Sequence, residues 1–268
     1  MIATLNLALE SVDICFEFCY VFHMNKAAQK RPGLRDDQWG RIKDSLPGTR
    51  SDRGRTAKDN RLFVEAVMWI AKTGAPWRDL PESYGKWSSV HKRFIRWSKK
   101  GVWQMIFNTL AADAETEWLM IDSTIVRAHQ HSAGGKSRGG FSTKVHAATD
   151  SLGCPIKFIL TPGNIADCTM AIPLLKGQNA DHVLADKGYD SDERVNTITA
   201  MGAEPVIPPR SHRKTQRSYD KHIYKERSAI ECLFGKLKQF RRIATRYDKL
   251  ASSYLSFVYV GAIWAWLA

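Results

Sequence analysis

The feature that most constrains this chain is the change of periodicity near residue 116. Upstream, apolar residues recur at helical spacing. Downstream come three short runs, "WLMIDSTIV", "FSTKVHAATD" and "PIKFILTPG", rich in β-branched residues and separated by the glycine-rich "SAGGKSRGG" and by "SLGCP". β-Branched side chains suit a pleated surface, and short glycine-bearing connections suit reversals, so the three runs predict a strand meander. There follow a helical "DCTMAIPLLKG", a strand "DHVLAD", a helical "SDERVNTITAMG" and a strand "AEPVIPP". A basic polar loop from Arg210 to about Lys221 then leads into a helix over "YKERSAIECLFGKLKQFRR". The order β-β-β-α-β-α-β-α predicts an α/β fold, a mixed sheet with helices on its faces.

The region before the switch reads as helices. "LRDDQWGRIKDSLPG" opens with acids and stops at Pro-Gly, and "DNRLFVEAVMWIAKTG" runs from an Asp59 or Asn60 cap to Gly74. A third segment, "KWSSVHKRFIRWSKKGVWQMIFNTLA", interleaves Trp and Phe with Lys and Arg. Aromatic residues at helical spacing face a core, which leaves the cations between them to meet phosphate. Residues 26–115 hold 19 basic and 10 acidic residues, so +9 of the chain's net +13 sits there. That balance points to a polyanion and predicts a small all-α DNA-binding domain over 26–115 ahead of the sheet.

Several classes are disfavoured. Five cysteines with no CxxC pair suggest neither a disulfide framework nor a zinc ribbon, and fit a reducing cytoplasm. The apolar first 23 residues carry Glu10, Asp13 and Glu17 and no Lys or Arg, unlike a signal peptide. The closing "SFVYVGAIWAWLA" is shorter than the roughly 20 residues of a membrane span and reads as core.

Sites in open α/β sheets form at the carboxyl ends of parallel strands. Asp122 and Asp186 fall at or near the ends of two predicted strands, although aspartate also ends strands because it favours turns. On a helical wheel begun at Tyr224, residues Arg227, Glu231 and Lys238 share one narrow face. Ile230, Leu233, Leu237 and Phe240 share the opposite face, and Glu226 falls on that packing side. The wheel alone leaves Glu231 and Lys238 equally compatible with a solvated salt-bridge face.

"MIDSTIVRAHQHSAGGKSRGGFSTKVHA", "VLADKGYDSDE" and "YKERSAIECLFGKLKQFRRIATRYDKLA" resemble the DDE transposases of bacterial insertion sequences, specifically the insertion-sequence-five family. Tyr224, Arg227, Glu231 and Lys238 match its Y-x2-R-x3-E-x6-K signature. The resemblance runs from about Leu34 to Tyr259, and residues 1–25 read as a leader outside it, with Met24 an alternative start. It implies an RNase H-like catalytic domain over 116–268. Asp122, Asp186 and Glu231 would be the catalytic acids and the ligands of Mg²⁺, with Mn²⁺ as a substitute. Three oxygen-ligand side chains suit such hard cations and repel one another without them.

The implied activity is binding of terminal inverted repeats, DNA cleavage and strand transfer into a target duplex, by a cytoplasmic, nucleoid-associated enzyme that acts as a homodimer or larger oligomer. Tyr224, Arg227, Lys238, Arg241, Arg242 and Lys187 are the expected DNA contacts. Two other readings share these features: an RNase H-like nuclease without strand transfer, and a DNA-binding repressor of transposition, which the intact acid set disfavours. His129, His131 and His146 match no standard zinc spacing.

Overall fold

The computed structural model describes residues 33–49, 52, 56–130, 132, 135–137 and 140–268. The expected leader, residues 26–32 and His131 lie outside the described residues. Asp36–Ala268 forms one compact unit.

Its helices begin with α1 (Asp36–Ile42), α2 (Asn60–Thr73), α3 (Trp87–Lys99) and α4 (Val102–Ala111). The ends of α2 are set locally. Asp59 is extended and its Oδ1 accepts the Leu62 amide at 2.9 Å, while Gly74 takes the left-handed conformation (φ 67°) that a side chain resists. Gly101, also left-handed, separates α3 from α4. The aromatic residues of this segment do face inward: Trp97 and Trp103 are buried with ring centroids 5.3 Å apart, against Phe63. Some of the interleaved cations follow them. The Arg93 guanidinium lies 4.2 Å from the Phe63 ring and 4.7 Å from Trp97 and donates to Asn60, so packing uses this charge.

The sheet comprises β1 (Trp118–Ala128), β3 (Gly140–Thr149), β4 (Pro155–Pro162), β5 (His182–Leu184) and β6 (Glu204–Val206), with a short β2 (Gly135–Ser137) and β7 (Thr245–Arg246) extending its margins. The spatial order is β4-β3-β1-β5-β6. β1, β3 and β4 pair antiparallel, while β1, β5 and β6 run parallel. Between the parallel strands lie α5 (Ala171–Leu175) and α6 (Asp192–Ala200), and after β6 come α7 (Ser228–Lys238), α8 (Arg241–Ala244) and α9 (Ala251–Leu267). A meander of three strands joined to two parallel strands, with helices on the faces, is the RNase H-like arrangement expected from the sequence.

The closing apolar run is a core helix. Phe257 of α9 stacks on Phe94 at 4.5 Å, and Tyr259 meets both Phe107 of α4 and Phe158 of β4. Burial on nearly all sides explains why the run lacks a polar stripe. Gly261 lets α9 approach its neighbours, since a Cβ there would sit 2.6 Å from Ile243 Cδ1 and 3.0 Å from Leu237 Cδ2. Among the described residues no helix is long and apolar enough to cross a membrane.

Candidate active site

Register brings the two aspartates together. Met120 of β1 pairs with Leu184 of parallel β5, and Asp122 and Asp186 each lie two residues further along. Asp186 lies just past the end of β5, at the cap of the following turn, and near enough to Asp122 for its charge to act on that carboxyl. Antiparallel β3 continues beside β1 there, with Asp122 opposite Ala147. The small Ala147 side chain leaves room beside the acid. Asp186 also starts a 3-10 turn over Lys187–Tyr189, where its Oδ1 accepts the Gly188 amide at 2.9 Å.

Glu231 arrives from α7, whose Ile230, Leu233 and Leu237 are buried as the wheel requires. The wheel fails one turn earlier. Ile223–Arg227 is a 3-10 turn rather than α-helix, and Glu226 is exposed instead of lying on the packing side. The tighter winding changes the angle per residue.

Arg227 links the acids. Its Nη1 donates to Asp122 Oδ2 at 2.9 Å and its Nη2 to Glu231 Oε1. Arg227 and Asp122 are largely sheltered, at 16% and 20% side-chain exposure, whereas Glu231 is at 58%. Burial raises the Asp122 pKa above the ordinary aspartate value; the Ser123 amide and Arg227 oppose the rise and Asp186 adds to it. For Arg227, burial works against the charge, but Asp122 and Glu231 outweigh it and raise the pKa. The carboxylate oxygens suit a hard divalent cation in kind. With Arg227 between Asp122 and Glu231, no three His, Cys, Asp or Glu groups among the described residues converge as a ligand set.

The other expected residues are distributed unevenly. Lys187, Lys238 and Arg241 are exposed, and the half-buried Tyr224 packs edge-on to Tyr219 with its ring 5.9 Å from the Arg227 guanidinium. Arg242 turns inward. It donates to Ala75 O and Asp248 Oδ1, both at 3.2 Å, and lies 4.9 Å from the Phe257 ring, so packing between α8 and the helical layer takes the guanidinium expected to meet DNA. The described histidines are separately engaged, His129 against Tyr247 and His146 Nε2 with Thr161 Oγ1 at 2.8 Å.

Three neighbours were missed in the sequence. Tyr189 is buried with no hydrogen-bond partner for its hydroxyl among the described residues, and its pKa is raised by burial and by Asp122, Asp167 and Asp186. Asp167 forms an ion pair with the buried Lys144 at 2.8 Å. Asp190, four residues past Asp186, is buried under arginines. For Tyr189 and Asp190 the signal was present in "ADKGYDSDE", which carries four acids and a tyrosine after a strand.

Residues 34–107 match a family model described as a putative transposase of the IS4/5 family, and residues 114–266 match one described as the transposase DDE domain. An uncharacterized protein of Sinorhizobium fredii, y4sN, is 50% identical over 109 residues, covering 40% of this chain and 87% of that protein. The putative transposase for insertion sequence element IS6501 of Brucella ovis is 38% identical over 128 residues, covering 47% of this chain and 98% of its own length. The putative transposase for IS402 of Burkholderia cepacia is 32% identical over 131 residues, covering 44% of this chain and 60% of its own. Among solved structures, the piggyBac transposase synaptic complex with hairpin DNA aligns with a TM-score of 0.49 at 11% identity, over 84% of this chain and 69% of that one.

Proposed function

Because the chain belongs to the transposase DDE domain family, we propose that it binds the terminal inverted repeats of an insertion sequence and catalyses metal-dependent cleavage and strand transfer there. The observation that carries this reading is Asp186 just past the end of β5 beside Asp122 on the paired β1, with Glu231 joined to Asp122 through Arg227. Asp122, Asp186 and Glu231 would hold Mg²⁺ or Mn²⁺, which when bound supplies Lewis acidity to a phosphodiester and to the attacking hydroxyl.

The chain's own groups position the strand. Lys187, Lys238 and Arg241 are exposed near the three acids in sequence and would take phosphates, while Tyr224 offers a ring for stacking. Arg227 would neutralise the crowded acids until the cation arrives. Farther off, Lys92, Arg96 and Lys99 are exposed at spacings of four and three along α3 and form a basic stripe suited to a duplex backbone. Cleavage exchanges the phosphorus–3′-oxygen bond for a bond to water oxygen and frees a 3′-hydroxyl; joining exchanges a target phosphorus–3′-oxygen bond for a bond to that terminal 3′-oxygen, and the displaced target 3′-oxygen leaves as a new hydroxyl.

The test is a cleavage and joining assay on a duplex carrying the element's end, with Mg²⁺ or Mn²⁺, for the wild type and for Asp122→Asn, Asp186→Asn and Glu231→Gln. Each variant should bind the duplex and lose cleavage by orders of magnitude. Cleavage without joining by the wild type would reduce the assignment to a nuclease, and full activity in any one variant would remove that acid from the site.

A further inference from the structure

The stretch between β6 and the turn at Ile223 carries Arg210, Arg213, Lys214, Arg217 and Lys221 against a single acid, Asp220. A surface segment of that charge would ordinarily repel itself and spread into solvent. Here it is anchored. The Asp190 side chain, 2% exposed, accepts the Arg210 amide at 2.9 Å and Arg213 Nε at 2.8 Å on Oδ2, and Arg217 Nη2 at 2.6 Å on Oδ1. Gln216 Nε2 bonds back to the carbonyls of Arg210 and Arg213 at 3.2 and 3.1 Å and closes the loop on itself.

The anchor belongs to the segment that presents Asp186. The Arg210 side chain donates to the carbonyls of Lys187 and Gly188, at 3.2 and 2.8 Å, one and two residues past that acid. At the other end, Asp220 Oδ1 accepts the amides of His222 and Ile223 at 2.6 and 3.0 Å and starts the turn that delivers Arg227 and then Glu231. The loop is thus tied at one end beside Asp186 and leads at the other into the helix of Glu231.

Its cations divide into two sets. Arg213 and Arg217 face inward on Asp190, and both also approach Asp192, at 2.9 and 3.4 Å, offsetting that exposed carboxylate. Lys214 and Lys221 are exposed and have no ion-pair partner among the described residues. An open cleft of about 360 Å³ beside Lys214 is lined by Arg210, Arg213 and Lys214 against Asp190 and Asp192, with His212 and Thr215 completing a polar wall. A buried carboxylate that orders arginines while leaving lysines outward makes a preformed surface, and preformed cations bind polyanions at a lower ordering cost.

We infer that the Arg210–Lys221 loop is a further DNA-backbone surface, separate from α3 and from the exposed cations of α7 and α8, which takes phosphates of the strand lying across the three acids. The inference rests on the transposase reading of that site. Asp190 is a positioning residue in this scheme: it holds the loop to the Asp186 segment and touches no DNA itself.

The experiment measures binding of the full chain to a mixed-sequence DNA duplex by fluorescence anisotropy, from about 50 to about 200 mM KCl, in the absence of divalent metal. Removing two phosphate contacts with Lys214→Ala/Lys221→Ala should weaken binding uniformly across sequences and reduce the slope of log affinity against log salt by about 2. Asp192→Asn, which removes a rim carboxylate and releases Arg213 and Arg217 from it, should act in the opposite direction and tighten binding. Thermal unfolding of both variants checks that each is folded. Wild-type affinity and slope in the lysine double variant would overturn the inference, as would absence of DNA binding by the wild type. A wild type that binds but never cleaves would instead remove the catalytic reading and leave the binding comparison standing.

Discussion

Arg227 bridges Asp122 and Glu231, its Nη1 donating to Asp122 Oδ2 at 2.9 Å while its Nη2 reaches Glu231, so one cation ties the first long strand to the late helix. Removing the guanidinium leaves sheltered carboxylates without their counter-charge. Arg227→Gln should therefore lower stability by about 1.5–3 kcal/mol in metal-free buffer, as for a lost hydrogen bond to a charged group. Added Mg²⁺ should recover part of that loss by mass action on the folded state. Urea unfolding with and without Mg²⁺ measures both; an equal loss in the two buffers would make Arg227 a purely structural tie.

Glu226 and Glu231 lie five residues apart in one cationic stretch and should behave differently. Glu231 bonds to Arg227 beside Asp122, whereas Glu226 sits exposed in a 3-10 turn with no ion-pair partner among the described residues. Glu226→Gln should retain most cleavage and change stability by less than about 1 kcal/mol. Glu231→Gln should abolish cleavage. A dead Glu226→Gln beside an active Glu231→Gln, in the same end-cleavage assay, would show that the signature is aligned one turn out of place.

Phe257 anchors α9 to the helical layer. It stacks on Phe94 at 4.5 Å and lies 6.1 Å from the ring of Trp77, with the Arg242 guanidinium on another side. Phe257→Ala should cost about 3–5 kcal/mol. Because α9 also packs on β4 and α7, loss of the ring should weaken both layers together. Tryptophan fluorescence, to which all nine tryptophans in both layers contribute, and far-ultraviolet circular dichroism should then follow one unfolding transition. Two separated transitions would show that the layers unfold independently.

His146 gives the fold a pH dependence. The ring is fully buried, and burial is the main cause of a pKa below the ordinary histidine value; His91 is shifted in the same direction and for the same main reason. Protonation therefore favours the unfolded chain. The stability due to the neutral rings is present above their unfolded pKa of about 6.5 and is lost as pH falls through the depressed folded values. His146→Gln should flatten the decline in unfolding free energy between about pH 7 and about pH 5. An unchanged slope would assign the decline to other groups.

The sequence by itself determined the order of the main elements, the stop of α2 at Gly74, the inward tryptophans and the packing face of α7, because each follows from local periodicity, turn chemistry and side-chain size. The three acids could be nominated from strand ends and a family signature. Only tertiary structure decided the rest. Asp122 and Asp186 come near each other because Met120 pairs with Leu184, a register that no local pattern specifies. Arg242, in a run of cations that reads as a DNA contact, is drawn inward by Ala75, Asp248 and Phe257, which lie at sequence separations of 167, 6 and 15. Asp190 looks like an ordinary turn aspartate until Arg213 and Arg217 arrive from more than 20 residues away. Charge shows in a sequence, but whether a charge faces water, a ring or an opposite charge depends on which distant segments pack against it.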